Sequence, residues 1–205
     1  MNPIYALIYG FVATALGLAL PGMLNMTAVR IRLQRGHMAA KQFVFGTAFT
    51  TSMQAFIAIV FANVLMSKPS IIEGFRLIAV GVFLILGIYF LLKNSATPMA
   101  EAKPTSKRRA FFSGVFLGFM NFLSIPYLLA AGTWGLANHY MEPTWPHRFM
   151  FMGGAALGSL VINFGYVKSA TWVERKINFI ARNINRILGI FFLVLTVWQA
   201  WVIWG

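Results

Sequence analysis

Apolar residues run along this chain in long blocks separated by short polar segments that are mostly basic. Read between charged residues, the uncharged intervals are 1–29, 42–67, 110–141, 149–167 and 187–205, each near or above the ~20 residues that cross a bilayer as a helix. A sixth interval, 77–92, is shorter. Extending it back to about Ile71 places Arg76 near a bilayer surface, where its long side chain can carry the charge into water. The pattern predicts an all-α polytopic membrane protein with six transmembrane helices.

Two of these intervals carry polar interruptions. Interval 1–29 is longer than one straight crossing needs, and Pro21-Gly22, followed by Asn25, falls in its later part. Proline lacks the N–H that would continue a helix, so the pair marks either a simple stop or a break inside the bilayer. The fourth interval carries "MNFLSIPY", with Asn121, Ser124 and Pro126 some 12 to 17 residues beyond Arg109. At ~1.5 Å per residue that is near the bilayer midplane. Interrupted apolar segments at corresponding places in two halves point to a transporter site, whereas a lone proline is also tolerated as a kink.

Other spans carry polar stripes. Thr47, Thr50, Thr51 and Gln54 recur at i, i+3, i+4 and i+7, and Ser159, Asn163 and Tyr166 at i, i+4 and i+7; each set shares one helical face. Hydrocarbon offers no hydrogen-bond partners, so these faces meet protein or water. They either line a path or bond helix to helix. "GVFLG" (114–118) and "GAALG" (154–158) are small-xxx-small patterns for close helix packing, within one chain or between two, so a homodimer is one expectation. Trp198, Trp201 and Trp204, with Trp134, Tyr140 and Trp145 elsewhere, suit interfacial aromatic belts. Residues 174–189 read as a basic amphipathic helix along the inner membrane surface.

Charge then orients the spans. Of seventeen Lys and Arg, fourteen fall within 30–41, 93–109 and 168–186, the connections after the first, third and fifth intervals. Basic residues are retained in the cytoplasm, so both termini are expected outside. This topology absorbs the formal charge of +13, and no nucleic-acid partner is expected. Met1 to Pro3 carry no positive charge and no small-residue cleavage site follows, so the first span is expected to be retained rather than a signal peptide. The polar stretch from Lys93 to Ala110 reads as a cytoplasmic linker between a three-helix half, 1–92, and a second, 111–205. Three being odd, the second half enters the membrane reversed, as in an inverted repeat.

Composition limits the chemistry. At 59% hydrophobic and 10% charged residues, with mean hydropathy +0.73, the chain has too few charges for a globular surface. There is no cysteine, hence no thiol chemistry or disulfide. The four acids, Glu73, Glu101, Glu142 and Glu174, and the three histidines, His37, His139 and His147, all map to loops or membrane edges. No buried carboxylate, metal cluster, Ser-His-Asp set or phosphate loop is discernible, so neither a metal, a cofactor nor an enzymatic reaction is expected.

Pro21, Gly22, Asn25 and the run "AVRIRLQRGHMAAKQFVFG" resemble the start of the lysine-exporter (LysE/RhtB) family of amino-acid exporters. In that family a Pro-Gly-Pro-Asn-like turn ends the first span and a glycine opens the second, matched here by Pro21-Gly22 and Gly46. "GVFLGFMNFLSIPYLL" is similar to its fourth span. Met23 replaces the turn's second proline, and Asn121-Phe122-Leu123-Ser124 replaces an Asn-Pro-Lys-Ala element. The resemblance implies export of amino acids or related metabolites across the bacterial inner membrane, driven by the proton gradient. The lack of an in-membrane acid favours a neutral zwitterion as cargo. The candidate substrate-binding residues are Pro21, Gly22, Asn25, Thr47, Thr50, Thr51, Gln54, Asn121, Ser124, Pro126 and Asn163. The competing expectation is a non-transporting membrane scaffold whose polar stripes serve packing alone.

Overall fold

The computed structural model describes residues 1–67, 80–81, 83–85, 87–89, 91–92, 107–173, 189–198 and 200–201. The described residues are helical, without strands. The helices are α1 (Ile4–Ala19), α2 (Met23–Arg35), α3 (His37–Ser67), α4 (Lys107–Met120), α5 (Ser124–Ala137) and α6 (Trp145–Lys168), with a shorter apolar helix α7 (Gly189–Trp198). By length and composition α3 (over His37–Val64) and α6 can each cross a membrane, and the bent pairs α1–α2 and α4–α5 bring the total to four if each is one crossing. The inner-surface segment up to residue 188 and about half of the third expected span lie outside the described residues, while the sixth is described over 189–198 and 200–201.

The chain divides into two compact units, Met1–Met66 with Ala102–Val173, and Ser67–Glu101 with Glu174–Gly205. In the second unit, the Cβ positions of Gly87 and Gly189 fall against the side chains of Leu193 and Leu91, and Phe83 packs on Phe192.

In the first unit both expected interruptions are breaks. Leu20, preceding a proline, is pushed to an extended conformation (φ −76°, ψ 142°). That ends α1, and α2 leaves at 74°. The second break spans Asn121–Leu123, where the Asn121 N–H bonds back to the Gly118 carbonyl and the Ser124 N–H to the Asn121 carbonyl, both at 3.1 Å. The bend there is 68°. Pro126 lies just after this break, in the first turn of α5, where its missing N–H costs nothing.

One boundary is corrected. The linker expected to run to Ala110 ends earlier, because α4 begins at Lys107. Arg108 and Arg109 keep their charges exposed while Ala110 is buried in the core, so a cationic run and a helical first turn coexist.

Glycines set how the helices meet. A Cβ on Gly154 would collide with the Leu7 carbonyl oxygen and the Phe11 nitrogen, and one on Gly158 with Phe11 and Ala15, so α1 and α6 lie backbone to backbone and run parallel. Likewise Gly114 sits on Phe43 and Thr47, and Gly118 on Thr50, making α3 and α4 a second parallel pair. The two pairs oppose each other: Phe45 of α3 packs on Phe164 of α6, and Phe56 on Phe149. The small-xxx-small patterns at 114–118 and 154–158 therefore serve packing inside one chain.

Two apolar clusters complete this unit. Leu128, Leu136 and Met141 pack with Ala6, Ile59 and Phe151 around α5. Leu24, Ala28 and Ile31 pack with Phe43, Ala110 and Val167 around α2. Each half-helix after a break is thus the centre of its own core.

Candidate functional site

Between the two clusters lies a layer of buried polar side chains: Thr14 on α1, Thr47, Thr50, Thr51 and Gln54 on α3, and Ser159 and Asn163 on α6. The glycine contacts that draw the backbones together are what bring these short side chains level with one another.

Much of the α3 stripe is committed to helix packing. Thr47 Oγ1 donates to the Val44 carbonyl at 2.9 Å and Thr51 Oγ1 to that of Thr47 at 3.0 Å. Thr50 Oγ1 lies 3.2 Å from the Gly46 carbonyl and 3.1 Å from Val115 on α4. Gln54 Nε2 donates to the Gly118 carbonyl at 3.1 Å. Where α3 crosses α6, Thr51 and Ser159 meet hydroxyl to hydroxyl at 3.4 Å.

The first break is closed by side chains. The last carbonyls of a helix have no partner within it, and here three consecutive ones are capped from outside α1. Asn25 Nδ2 donates to Leu18 at 2.7 Å and Leu20 at 3.1 Å, and the Tyr166 hydroxyl of α6 donates to Ala19 at 2.7 Å. The carbonyls that a break would have offered to a ligand are already satisfied. Pro21 is half-buried and Gly22 exposed beside them.

The second break is more open. Asn121 and Ser124 are half-buried and bonded to each other, Nδ2 to Oγ at 2.7 Å, and Pro126 is exposed. Above this break, α1 and α5 exchange tyrosines: Tyr9 donates to the Ala131 carbonyl and Tyr127 to that of Ala13, both at 2.6 Å. Neither tyrosine was among the expected site residues, although Tyr127 directly follows Pro126. Thr14, also unexpected, is the lone Ser or Thr of α1.

Three atoms of the polar layer and the first break remain unpartnered though buried: Asn25 Oδ1, Asn163 Oδ1 and Thr14 Oγ1. An unsatisfied buried polar group costs about 1–3 kcal/mol, so such atoms are candidates for contact with a bound species. Among the described residues no group of three or more His, Asp or Glu could hold a metal ion.

At the amino-terminal end of α6 the sequence expectation for His147 is refined. Expected at a loop or membrane edge, it lies in the first turn of α6 and is buried, with Thr144 Oγ1 2.7 Å from its Nδ1. Nearby, the exposed Glu142 carboxyl accepts a hydrogen bond from the Met1 amino group, which holds it below the usual carboxylate range.

Comparison of the chain with protein-family models, with curated proteins and with solved structures gives no match.

Proposed function

We propose that this chain is a secondary transporter that exports a small zwitterionic metabolite, an amino acid or close relative, across a bacterial inner membrane by alternating access around two broken helices. The observation that carries this reading is the matched pair of breaks, one in each half, bent by 74° and 68°. Irregular backbone at membrane depth is tolerated where it is enclosed by protein or lines a watery cavity, and paired interruptions mark binding sites in transporters built from inverted repeats.

The register of the halves supports such a repeat. Counted from the first residues of α3 and α6, Gly46 and Gly154 occupy the same position, as do Thr50 and Gly158, and Thr51 and Ser159. Equivalent residues meeting at a crossing, as Thr51 and Ser159 do, is what a pseudo-two-fold axis produces. The resemblance to lysine exporters belongs to this reading, as do six spans with both termini outside and proton coupling. In it, Asn121 and Ser124 at the open break orient the substrate carboxylate toward the amino-terminal end of α5, where the positive end of the helix dipole favours an anion.

The scaffold alternative would use the Gly-rich faces and the Lys93–Ala110 linker for contacts; the glycine faces of α4 and α6 meet α3 and α1 within the chain, and the linker lies largely outside the described residues. The test is amino-acid flux in proteoliposomes. Gradient-driven flux is expected from the native protein and a large reduction from Asn121→Ala with insertion intact. Absence of flux across the common amino acids would sink the transport reading, and undiminished flux in Asn121→Ala would sink this assignment of the site.

A further inference from the structure

We propose that the side-chain oxygens of Asn25 and Asn163 form a subsite for a compact cationic head, either an alkali-metal ion or a protonated amine; this rests on the transport reading above. Both side chains are buried, and both oxygens lack a partner. Their orientations are fixed by chemistry. Asn163 Nδ2 faces the Ser159 carbonyl at 2.9 Å, and Asn25 Nδ2 faces two carbonyls. A carbonyl only accepts, so the amide nitrogens must point there and the oxygens the other way. Two buried acceptors are left whose missing partners are donors or cations.

They come to the same level of the fold. Along the parallel pair α1 and α6, Gly158 faces Ala15 and Tyr166 reaches Ala19. Asn163 lies between those two points, level with the last turn of α1, and Asn25 caps the end of that turn. The side chain of Asn25 also lies beside the Tyr166 hydroxyl, whose single proton is committed to Ala19. The negative carboxyl-terminal end of α1 and the positive amino-terminal end of α2 meet here, so the two dipoles oppose each other and the two unpartnered amide oxygens are what attract a cation. No Asp or Glu occurs in α1 to α6, so neutral amide oxygens are the ligands on offer. They suit an alkali ion or an ammonium, neither of which requires a titrating carboxylate.

The experiment uses the full chain purified in detergent. Thermal unfolding is followed while sodium, potassium or methylammonium chloride replaces choline chloride at constant ionic strength. A saturable rise in unfolding temperature with sodium or potassium assigns an alkali ion, and one with methylammonium alone assigns the amine of a substrate. Either supports the subsite if Asn163→Leu, which removes the oxygen while keeping the branching and heavy-atom count of the side chain, weakens the apparent affinity at least tenfold. Asn163→Ala serves as a second variant should the first fold poorly. No saturable rise with any of the three cations, or a rise that both variants retain, overturns the proposal. Flux by the native protein in vesicles, measured alongside, separates the two failures: flux without a cation effect removes the subsite and leaves transport standing.

Discussion

Tyr127 of α5 donates its hydroxyl to the Ala13 carbonyl of α1 at 2.6 Å, with its ring over Gly17, where an added Cβ would come within 2.5 Å of Cε1. Tyr9 returns the bond from α1 to Ala131. Each hydroxyl bridges from one broken pair to the other, so the seam holds the second half-helix against the first helix. Tyr127→Phe keeps the ring and removes the bond, and should cost about 1 kcal/mol in thermal or denaturant unfolding. Gly17→Ala should cost more, since it displaces the ring itself. Equal stability of both variants with the native protein would show that the seam is incidental.

The glycine seams make a sharper contrast. Gly153 and Gly154 are neighbours on α6, yet nothing lies within 4 Å of a Cβ built on Gly153, while one on Gly154 overlaps α1 backbone. Backbone cannot rotate aside as a side chain can. Gly154→Ala should therefore destabilise by about 1–3 kcal/mol or prevent assembly. Gly153→Ala should be neutral or stabilising by up to about 1 kcal/mol, the difference in helix propensity. Gly114→Ala should behave as Gly154→Ala does, since it meets the Phe43 carbonyl in the equivalent parallel pair. Yield and melting temperature of the three variants in detergent decide this.

These two cases show where the sequence was legible. An overlong uncharged interval with Pro21-Gly22 inside it points to either a helix stop or a break, and the structure bends there by 74°; "MNFLSIPY" carries the same signal, though the bend falls at Asn121–Leu123 rather than at Pro126. The helical spacing of Thr47, Thr50, Thr51 and Gln54 correctly places them on one buried face. Spacing cannot say what a hydroxyl bonds to: Thr47 and Thr51 turn back to their own helix, a choice made by local backbone geometry. The tyrosine exchange depends on how α5 packs over α1. Those contacts join residues more than a hundred positions apart, and no local pattern encodes them.

Asn25 gives a third prediction, on the closure of the first break. Its Nδ2 serves the carbonyls of Leu18 and Leu20 together, whereas Tyr166 serves Ala19 alone. Removing the amide should leave two part-buried acceptors short of a donor, at about 1 kcal/mol for each. Asn25→Ala should accordingly destabilise more than Tyr166→Phe. Asn25→Asp should be worst of all, because an ionised carboxylate in place of the amide nitrogen would repel the same carbonyls. The ranking of the three unfolding temperatures is the check, and a reversed order between Asn25→Ala and Tyr166→Phe would contradict the capping role.

The orientation of the spans can be tested with unusual cleanness, because the chain contains no cysteine and any introduced thiol is the only one. Met38 is exposed at the start of α3, within the basic connection assigned to the cytoplasm, and Asn138 is exposed just after α5 on the opposite side. Neither position is packed, so cysteine there should leave folding intact. If fourteen of seventeen basic residues are held on the cytoplasmic side, a membrane-impermeant maleimide added to intact spheroplasts should label Asn138→Cys and leave Met38→Cys unlabelled. Permeabilisation or inverted vesicles should expose Met38→Cys. Labelling of both positions from one face would contradict the reversed entry of the second half, and with it the pseudo-symmetry that makes Thr51 and Ser159 equivalent.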